Sequence, residues 1–405
     1  MTYEEFKNIN PEYLLQQVEL YKKLEPSKIA FQLNRSKKEY GRIIAEQVAN
    51  YKKAKLKFPK LSEHKLLYDK IAIEQASGEA TAKYKSELIY GARLIDLTGG
   101  LGIDDIFFST RFNSITYCES NNVISSIFDY NIHKLNIDNI SVKNTDSICY
   151  LSEQENGAFD WIYIDPSRRD GNRRSVDLAY CTPNVYKNLN LFLVKSQNLM
   201  IKAAPAYDIT EAVKKFGAYL SEIHVISVNG ECKETLLILS SNRAPDSPNL
   251  KVYSVTINAK NNTRTIFEFD YYKKTEKSFS KIKDYLFIPD CAIIKANHIA
   301  ELAKKNALFF INKRTYFLTS ERINNNIAGR YFKITDILKF NEKNLRSYLT
   351  DKKIKKANIN TKGTQITVDE IRKRLKLKEG GNTSLFITSD LKNKTIVIVA
   401  EKFNF

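Results

Sequence analysis

Between about residues 86 and 240, short apolar segments alternate with stretches of helical length, and this rhythm restricts the fold more than any other feature. The segments are residues 93–97, 114–119, 140–143, 161–164, 198–203, 224–228 and 235–240. Strands joined by helix-sized connections must cross over to pair, so consecutive strands lie parallel and helices cover the faces of the sheet. The last two segments are separated only by a short loop holding Asn229-Gly230, a hairpin signal. The pattern predicts a doubly wound, mostly parallel α/β sheet that ends in an antiparallel hairpin.

The flanks read differently. Residues 1–85 are predicted helical: Leu14, Leu15, Val18 and Leu20, and then Ile43, Ile44, Val48 and Tyr51, recur near helical spacing. Pro26 and Pro59 punctuate the region, and Ser62 is placed to cap a helix over 63–76. After a domain over 86–242, residues 243–250 contain two prolines and read as a linker. Residues 250–330 are expected to form a ferredoxin-like α+β module, with a hairpin of 251–257 and 265–269 around Asn261-Asn262. Residues 331–405 are expected to be a basic C-terminal module. Residues 307–311, 316–318, 364–367 and 395–400 look β-like, and 368–377 helical.

A chain of 405 residues is too long for one ordinary core, which favours two or three domains. The net charge of +18 is concentrated: residues 281–405 hold 26 Lys and Arg against 12 Asp and Glu, a net +14. Such a bias suits a polyanionic partner, because each phosphate neutralised by a cation releases a condensed counterion. Five cysteines, Cys118, Cys149, Cys181, Cys232 and Cys291, show no CxxC spacing, and His64, His133, His224 and His298 are dispersed. No metal site, disulfide framework or catalytic triad is expected from them. The polar, acidic start Met1-Thr2-Tyr3-Glu4-Glu5 reads as no secretory signal, no apolar run approaches membrane-spanning length, and a cytoplasmic location is expected.

The chemistry begins at Leu94-Ile95-Asp96-Leu97-Thr98-Gly99-Gly100-Leu101-Gly102, an apolar strand running into a glycine-rich turn before helical sequence. Glycines let backbone approach a ligand closely, and the next helix offers free N–H groups. A dinucleotide site would want a third glycine where Asp105 stands, and a carboxylate there would oppose a pyrophosphate. A P-loop is excluded, since no Gly-Lys-Ser/Thr follows. Asp96 at the strand end is instead suited to a cationic amino group, as in S-adenosylmethionine. The second strand ends in Glu119, 23 residues later, placed to accept two ribose hydroxyls, and Asp146 follows the third strand, placed to accept from the adenine amine. The fourth strand runs into Asp165-Pro166-Ser167-Arg168-Arg169, which should face the same crevice.

These residues together resemble class I methyltransferases, and more narrowly a bacterial group whose Rossmann-like methyltransferase domain precedes a THUMP-like module. The resemblance is sharpest over residues 75–240. It implies S-adenosylmethionine as cofactor, held by Asp96, Thr98, Gly99, Gly100, Gly102, Glu119 and Asp146. It implies catalysis at Asp165, Pro166, Ser167 and Arg168, and RNA, commonly tRNA or rRNA, as the partner. One departure stands out. Methyltransferases of exocyclic amines usually carry Asp/Asn-Pro-Pro-aromatic, whereas here Ser167 replaces the second proline and Arg168 the aromatic residue. Arg168 and Arg169 remain suited to stacking on a base or clamping a phosphate, or alternatively to pairing with Asp170 or Asp177. Carbon-5 methylation of a pyrimidine would need a cysteine nucleophile, for which Cys181 is the candidate near the motif; it reads instead as a small buried hydrophobe.

In the C-terminal region the densest basic runs contain Lys353 and Lys355, and Arg372 and Arg374, which are assigned to RNA phosphates. In the second run Ile371, Leu375 and Lys378 share one helical face, leaving the cations on the others. Two rival functions stay open at this point: a methyltransferase of small molecules or proteins, and a non-catalytic RNA-binding protein that keeps the fold.

Overall fold

The computed structural model describes residues 2–35, 40–167, 169–170, 173–174, 176–242 and 249–403. The chain divides into two units, Met1–His224 with Lys233–Leu250, and Val225–Cys232 with Lys251–Phe405.

In the first unit the strands are β1 (Gly91–Asp96), β2 (Phe112–Cys118), β3 (Ile140–Lys143), β4 (Phe159–Ile164), β5 (Ser196–Ala203), β6 (Leu220–Val228) and β7 (Glu231–Ser240). The outer ends of β6 and β7 belong to the second unit. Their order is β3-β2-β1-β4-β5-β7-β6. β1 pairs in parallel with β2 and with β4, β2 with β3 and β4 with β5, while β7 runs antiparallel to β5. The central strands are covered on both faces, so they read as unbroken apolar runs rather than as alternation. Leu94, Ile95, Ile162, Ile164, Leu199 and Ile201 have no exposed surface, and each contributes about 1.5–3 kcal/mol by leaving water. The strand reversal between β1 and β4 opens a crevice at their carboxyl ends, where open α/β sheets bind ligands.

The N-terminal region is helical at Pro11–Tyr21, Pro26–Arg35 and Gly41–Lys57, with Leu14, Leu15, Val18, Ile43, Ile44 and Val48 in one core. A single helix over 63–76 does not form. Leu61–His64 is one 3-10 turn, Lys65 adopts a left-handed conformation, and helix resumes only at Ala72–Gln75. Side-chain amides take over the backbone groups between them. Asn131 accepts from Leu67 N and donates to Leu67 O, both at 2.9 Å. Gln47 and Asn50 donate to Tyr68 O at 2.7 and 2.9 Å, and Gln47 accepts from Tyr68 N. These bonds replace the intrahelical ladder, because buried peptide groups must find partners somewhere.

In the second unit β8 (Lys251–Asn258) and β9 (Thr263–Asp270) form the expected hairpin. A separate sheet comprises β10 (Tyr285–Pro289), β11 (Phe309–Phe310), β12 (Leu318–Ser320), β13 (Gly329–Lys339), β14 (Asn358–Thr361), β15 (Thr383–Ser389) and β16 (Thr395–Lys402), in the order β11-β12-β10-β13-β16-β15-β14. Residues 364–367 form no strand. Thr367 instead caps the helix Val368–Leu375, its hydroxyl accepting from Glu370 N while the Glu370 carboxylate accepts from Thr367 N. The helix stops at left-handed Lys376, so Lys378 does not continue the face of Ile371; it pairs with Lys356. Among the described residues no helix is long and apolar enough to cross a membrane.

Asn131→Ala would strip partners from both peptide groups of buried Leu67. The expected loss is about 2–4 kcal/mol in urea unfolding; a change below about 0.5 kcal/mol would show that water or a shifted backbone replaces the amide.

Candidate active site

The carboxyl ends of β1, β2, β3 and β4 converge on a cavity of about 520 Å³ within the first unit. Asp96, Thr98, Gly99, Gly100, Gly102, Glu119, Asp146, Asp165, Pro166 and Ser167 all line it. The residues named from sequence for cofactor binding are thus brought together. Arg168 lies outside the described residues, and Arg169 is described by its backbone, which pairs with Arg174.

The turn is built on its glycines. A Cβ on Gly99 would come within 2.1 Å of the Tyr117 ring, and one on Gly102 within 2.0 Å of Phe128. Gly102 also has φ +64°, which disfavours other residues. Tyr117 and Phe128 stack at 4.2 Å beneath the turn, and the Tyr117 hydroxyl donates to Gly100 O. Above them the acids fix the loop. Glu119 accepts from Gly100 N at 3.0 Å through one oxygen and from Asn121 N at 2.7 Å through the other, leaving lone pairs on both. Asp146 caps the helix Ser147–Glu153 by accepting from Cys149 N at 2.9 Å. Asp96 accepts from Thr98 N at 2.7 Å and from the Thr98 hydroxyl at 3.2 Å, and that hydroxyl accepts from Asp165 N at 2.7 Å. Thr98 therefore ties the end of β1 to the end of β4.

Asp105, assigned from sequence only a negative role, is fully buried beside Asp96, and neither of its carboxylate oxygens finds a hydrogen-bond donor. Two buried carboxyls side by side cannot both ionise cheaply, so the pair keeps a proton. Burial pushes Asp96 up to about 7, and burial together with the Asp96 charge raises Asp105 further.

Below this pair lies a charged cluster that sequence reasoning missed. Lys85, with no exposed side-chain surface, is 2.9 Å from Asp104 Oδ1 and 3.3 Å from Glu234 Oε1, and donates to Ser77 Oγ at 2.6 Å. Ser77 and Tyr163 each donate to Asp104 Oδ2 at 2.7 Å. Burial alone would raise the Asp104 carboxyl, but Lys85 and Lys202 outweigh it and hold it below its ordinary value. Lys202 on β5 pairs with Asp165; burial opposes its charge, yet Asp165, Glu234 and Asp104 raise it well above the usual ammonium range. Lys57 donates to the Ile73 and Glu74 carbonyls at 2.9 Å each, bracing a segment that walls the cavity, and burial with Lys202 nearby brings it down to about 8. The sequence held one clue: Lys85 follows buried Thr81 and Ala82 on the inward face of its helix. Cys181 is buried, as its composition suggested, and among the described residues no group of three or more His, Cys, Asp and Glu is arranged to hold a metal.

This strand order, with acids at successive strand ends, defines the class I methyltransferase fold. The crystal structure of a "putative methyltransferase" from Porphyromonas gingivalis W83 aligns over 100% of both chains with a TM-score of 0.84 and 24% identity. In sequence the chain is 24% identical over 233 residues, 56% of its length, to a Mycobacterium tuberculosis H37Rv protein named as an uncharacterized S-adenosylmethionine-dependent methyltransferase, and equally to the protein of that name in strain CDC 1551. The match spans 59% of those relatives' length. Residues 329–402 match the THUMP domain-like family. The chain thus has the class I methyltransferase fold with a C-terminal THUMP-like module, and its relatives are named for S-adenosylmethionine.

The Asp96–Asp105 proton makes stability depend on pH. Because the folded chain holds it above the value near 3.8 of a free aspartate, its contribution is complete below that pH and is lost as pH climbs through about 7. Melting temperature should therefore fall from about pH 4 upward through pH 7, and Asp105→Asn, which removes the carboxyl raised furthest, should flatten that fall. Equal slopes for both proteins would rule out the retained proton.

Proposed function

We propose that this chain is an S-adenosylmethionine-dependent methyltransferase that modifies a base in tRNA or rRNA. The observation that carries the reading is the single cavity in which Asp96, Glu119 and Asp146 stand at three successive strand ends and Asp165-Pro166-Ser167 at a fourth. In this reading Asp96 accepts from the cofactor's amino group, Glu119 from the ribose hydroxyls through its free lone pairs, and Asp146 from the adenine amine through the oxygen not used in capping. Gly99, Gly100 and Gly102 admit the ligand against bare backbone. The bound cofactor supplies a methyl group on a sulfonium sulfur. Asp165, steadied by Lys202 and by its N–H bond to Thr98, orients the accepting amine and takes the proton it releases. Ser167 exchanges both backbone bonds with Thr182, at 2.8 and 3.0 Å, which fixes the acceptor side of the cavity. Arg168 and Arg169 are assigned to the incoming nucleotide.

The RNA half of the proposal rests on the second unit. Lys378 N donates to Lys355 O at 3.2 Å and Ala357 N to Lys378 O at 3.0 Å, so the run holding Lys353 and Lys355 lies beside the one holding Arg372 and Arg374. Parts of these cations have local roles: Arg372 and Arg374 lie 3.9 and 4.0 Å from Glu379 and Glu342, and they sit in the last turn of their helix, where positive charge suits the dipole. Pairs this long hold little energy against a phosphate. We further assign residues 86–242 to cofactor binding, 1–85 to bracing the cavity wall, and 250–330 and 331–405 to presenting RNA.

Calorimetry should show S-adenosylmethionine binding to the full chain, weakened at least tenfold by Glu119→Ala. Asp165→Ala should keep that binding but lose methyl transfer to RNA from a strain lacking the gene, by about 10²-fold or more. Absence of cofactor binding removes the enzyme reading; transfer to a protein or small molecule alone removes the RNA reading.

Replacing Lys353, Lys355, Arg372 and Arg374 with Gln should weaken tRNA binding and lower the slope of log affinity against log salt by about 0.7–0.9 for each phosphate no longer neutralised. An unchanged slope would place the RNA elsewhere.

A further inference from the structure

The turn joining β11 to β12 carries Asn312-Lys313-Arg314-Thr315-Tyr316, and a buried amide fixes its backbone. Asn312 is 1% exposed. Its Oδ1 accepts from Arg314 N and Thr315 N, both at 2.9 Å, and its Nδ2 donates to Thr388 Oγ1 at 3.2 Å and to Ser389 O at 2.7 Å. The whole hydrogen-bonding capacity of that amide is thereby used. β11 is one edge of the second unit's sheet, while Thr388 and Ser389 end β15, the neighbour of the opposite edge strand β14. One side chain thus ties the hairpin turn to the far side of the sheet.

A second loop packs against this turn. Lys362 follows β14, and its N–H donates to Ile387 O at 3.1 Å. A Cβ on the next residue, Gly363, would come within 2.8 Å of Thr315 Cγ2 and 3.4 Å of Arg314 Cβ, and its φ of +72° favours glycine. The Lys362 ammonium lies 5.5 Å from the centre of the Tyr316 ring. Lys313, Arg314 and Lys362 are all exposed, and among the described residues none of the three has a carboxylate partner. Asp390, the acid beside Ser389, is turned to its own loop, where it accepts from Lys392 N at 2.9 Å and Lys394 N at 2.8 Å. Like charges held on adjoining fixed loops raise the local potential, and an anion laid across them relieves it.

We propose that the Asn312–Tyr316 turn and Lys362 form a binding site for backbone phosphates of RNA, separate from the runs holding Lys353, Lys355, Arg372 and Arg374. The site rests on the RNA reading given above and extends it to a second surface. Arg314 grips a phosphate with its planar fork, and Lys313 and Lys362 act as point charges beside it. Because the backbone under all three is already fixed, binding orders only their side chains. Phosphate contacts of this kind set the position of the RNA and read no base. The turn precedes the residues 329–402 that match the THUMP domain-like family, whereas Lys362 lies inside them, so the site takes in sequence from both sides of that boundary.

The test is fluorescence anisotropy of labelled bulk tRNA with the full chain over a range of KCl concentrations. Changing Lys313, Arg314 and Lys362 together to Gln should weaken binding and lower the slope of log affinity against log salt by ~2–3, with the far-UV circular dichroism unchanged. A control in which Lys23, Lys28 and Lys55 become Gln should keep the wild-type slope. Wild-type binding with an unmoved slope in the first variant overturns the site and leaves the RNA reading standing. An equal fall in the control also overturns it, in favour of general charge. A wild-type chain that binds no tRNA at low salt removes both the site and the RNA reading. Where the triple variant folds poorly, Arg314→Gln alone decides: a fall of about 0.7–0.9 in slope is expected, and no change overturns the site.

Discussion

A lysine with no exposed surface, Lys85, sits between Asp104 and Glu234 and brings three distant parts of the first unit to one point. An ammonium at that depth is tolerated only with carboxylates at contact distance, and each carboxylate is tolerated only with its cation. Asp104 also gathers Ser77 and Tyr163, and so connects the segment walling the cavity to strand β4. The glycine-rich turn, the helix before β1 and the strand β7 cannot shift independently without leaving a charge alone in the interior. Rigidity at the floor of the cavity follows from that electrostatic requirement.

Above this floor the acids differ by environment. Asp96 and Asp105 keep a proton in a dry place, while Glu119 and Asp146 are each satisfied in part by backbone N–H groups and keep lone pairs toward the cavity. Asp165, with 36% of its side chain exposed, faces the outer part with Lys202 behind it. A gradient from buried floor to exposed mouth is thereby built from carboxyl side chains. Thr98 joins the two ends of that gradient through a single hydroxyl.

Much of this was legible in the chain itself. The seven strands of the first unit follow from short apolar runs at helix-length spacing, because a sheet buried on both faces leaves an unmistakable apolar signature; β3 matches over Ile140–Lys143. Asp96, Glu119, Asp146 and Asp165 could be named because strand ends are visible in sequence. What escaped depends on distant partners. Nothing local distinguishes Lys85 from a surface lysine except its helical face, and Glu234 meets it from 149 residues away. The helix expected over 63–76 failed because Gln47, Asn50 and Asn131 offered competing bonds that local propensity cannot register. Residues 364–367 looked β-like by composition, yet Thr367 gained more as a helix cap.

The glycine-rich turn carries a consequence of another kind. Gly99 and Gly102 are demanded by the Tyr117 and Phe128 rings packed beneath them as well as by any ligand above. Each glycine and its ring therefore form one unit of covariation: among relatives, a side chain can appear at position 99 only where position 117 has shrunk, and likewise for 102 and 128. The signature by which such turns are identified is in part a record of what lies under the loop, and a homologue that lost its ligand would still be held to its glycines by those rings.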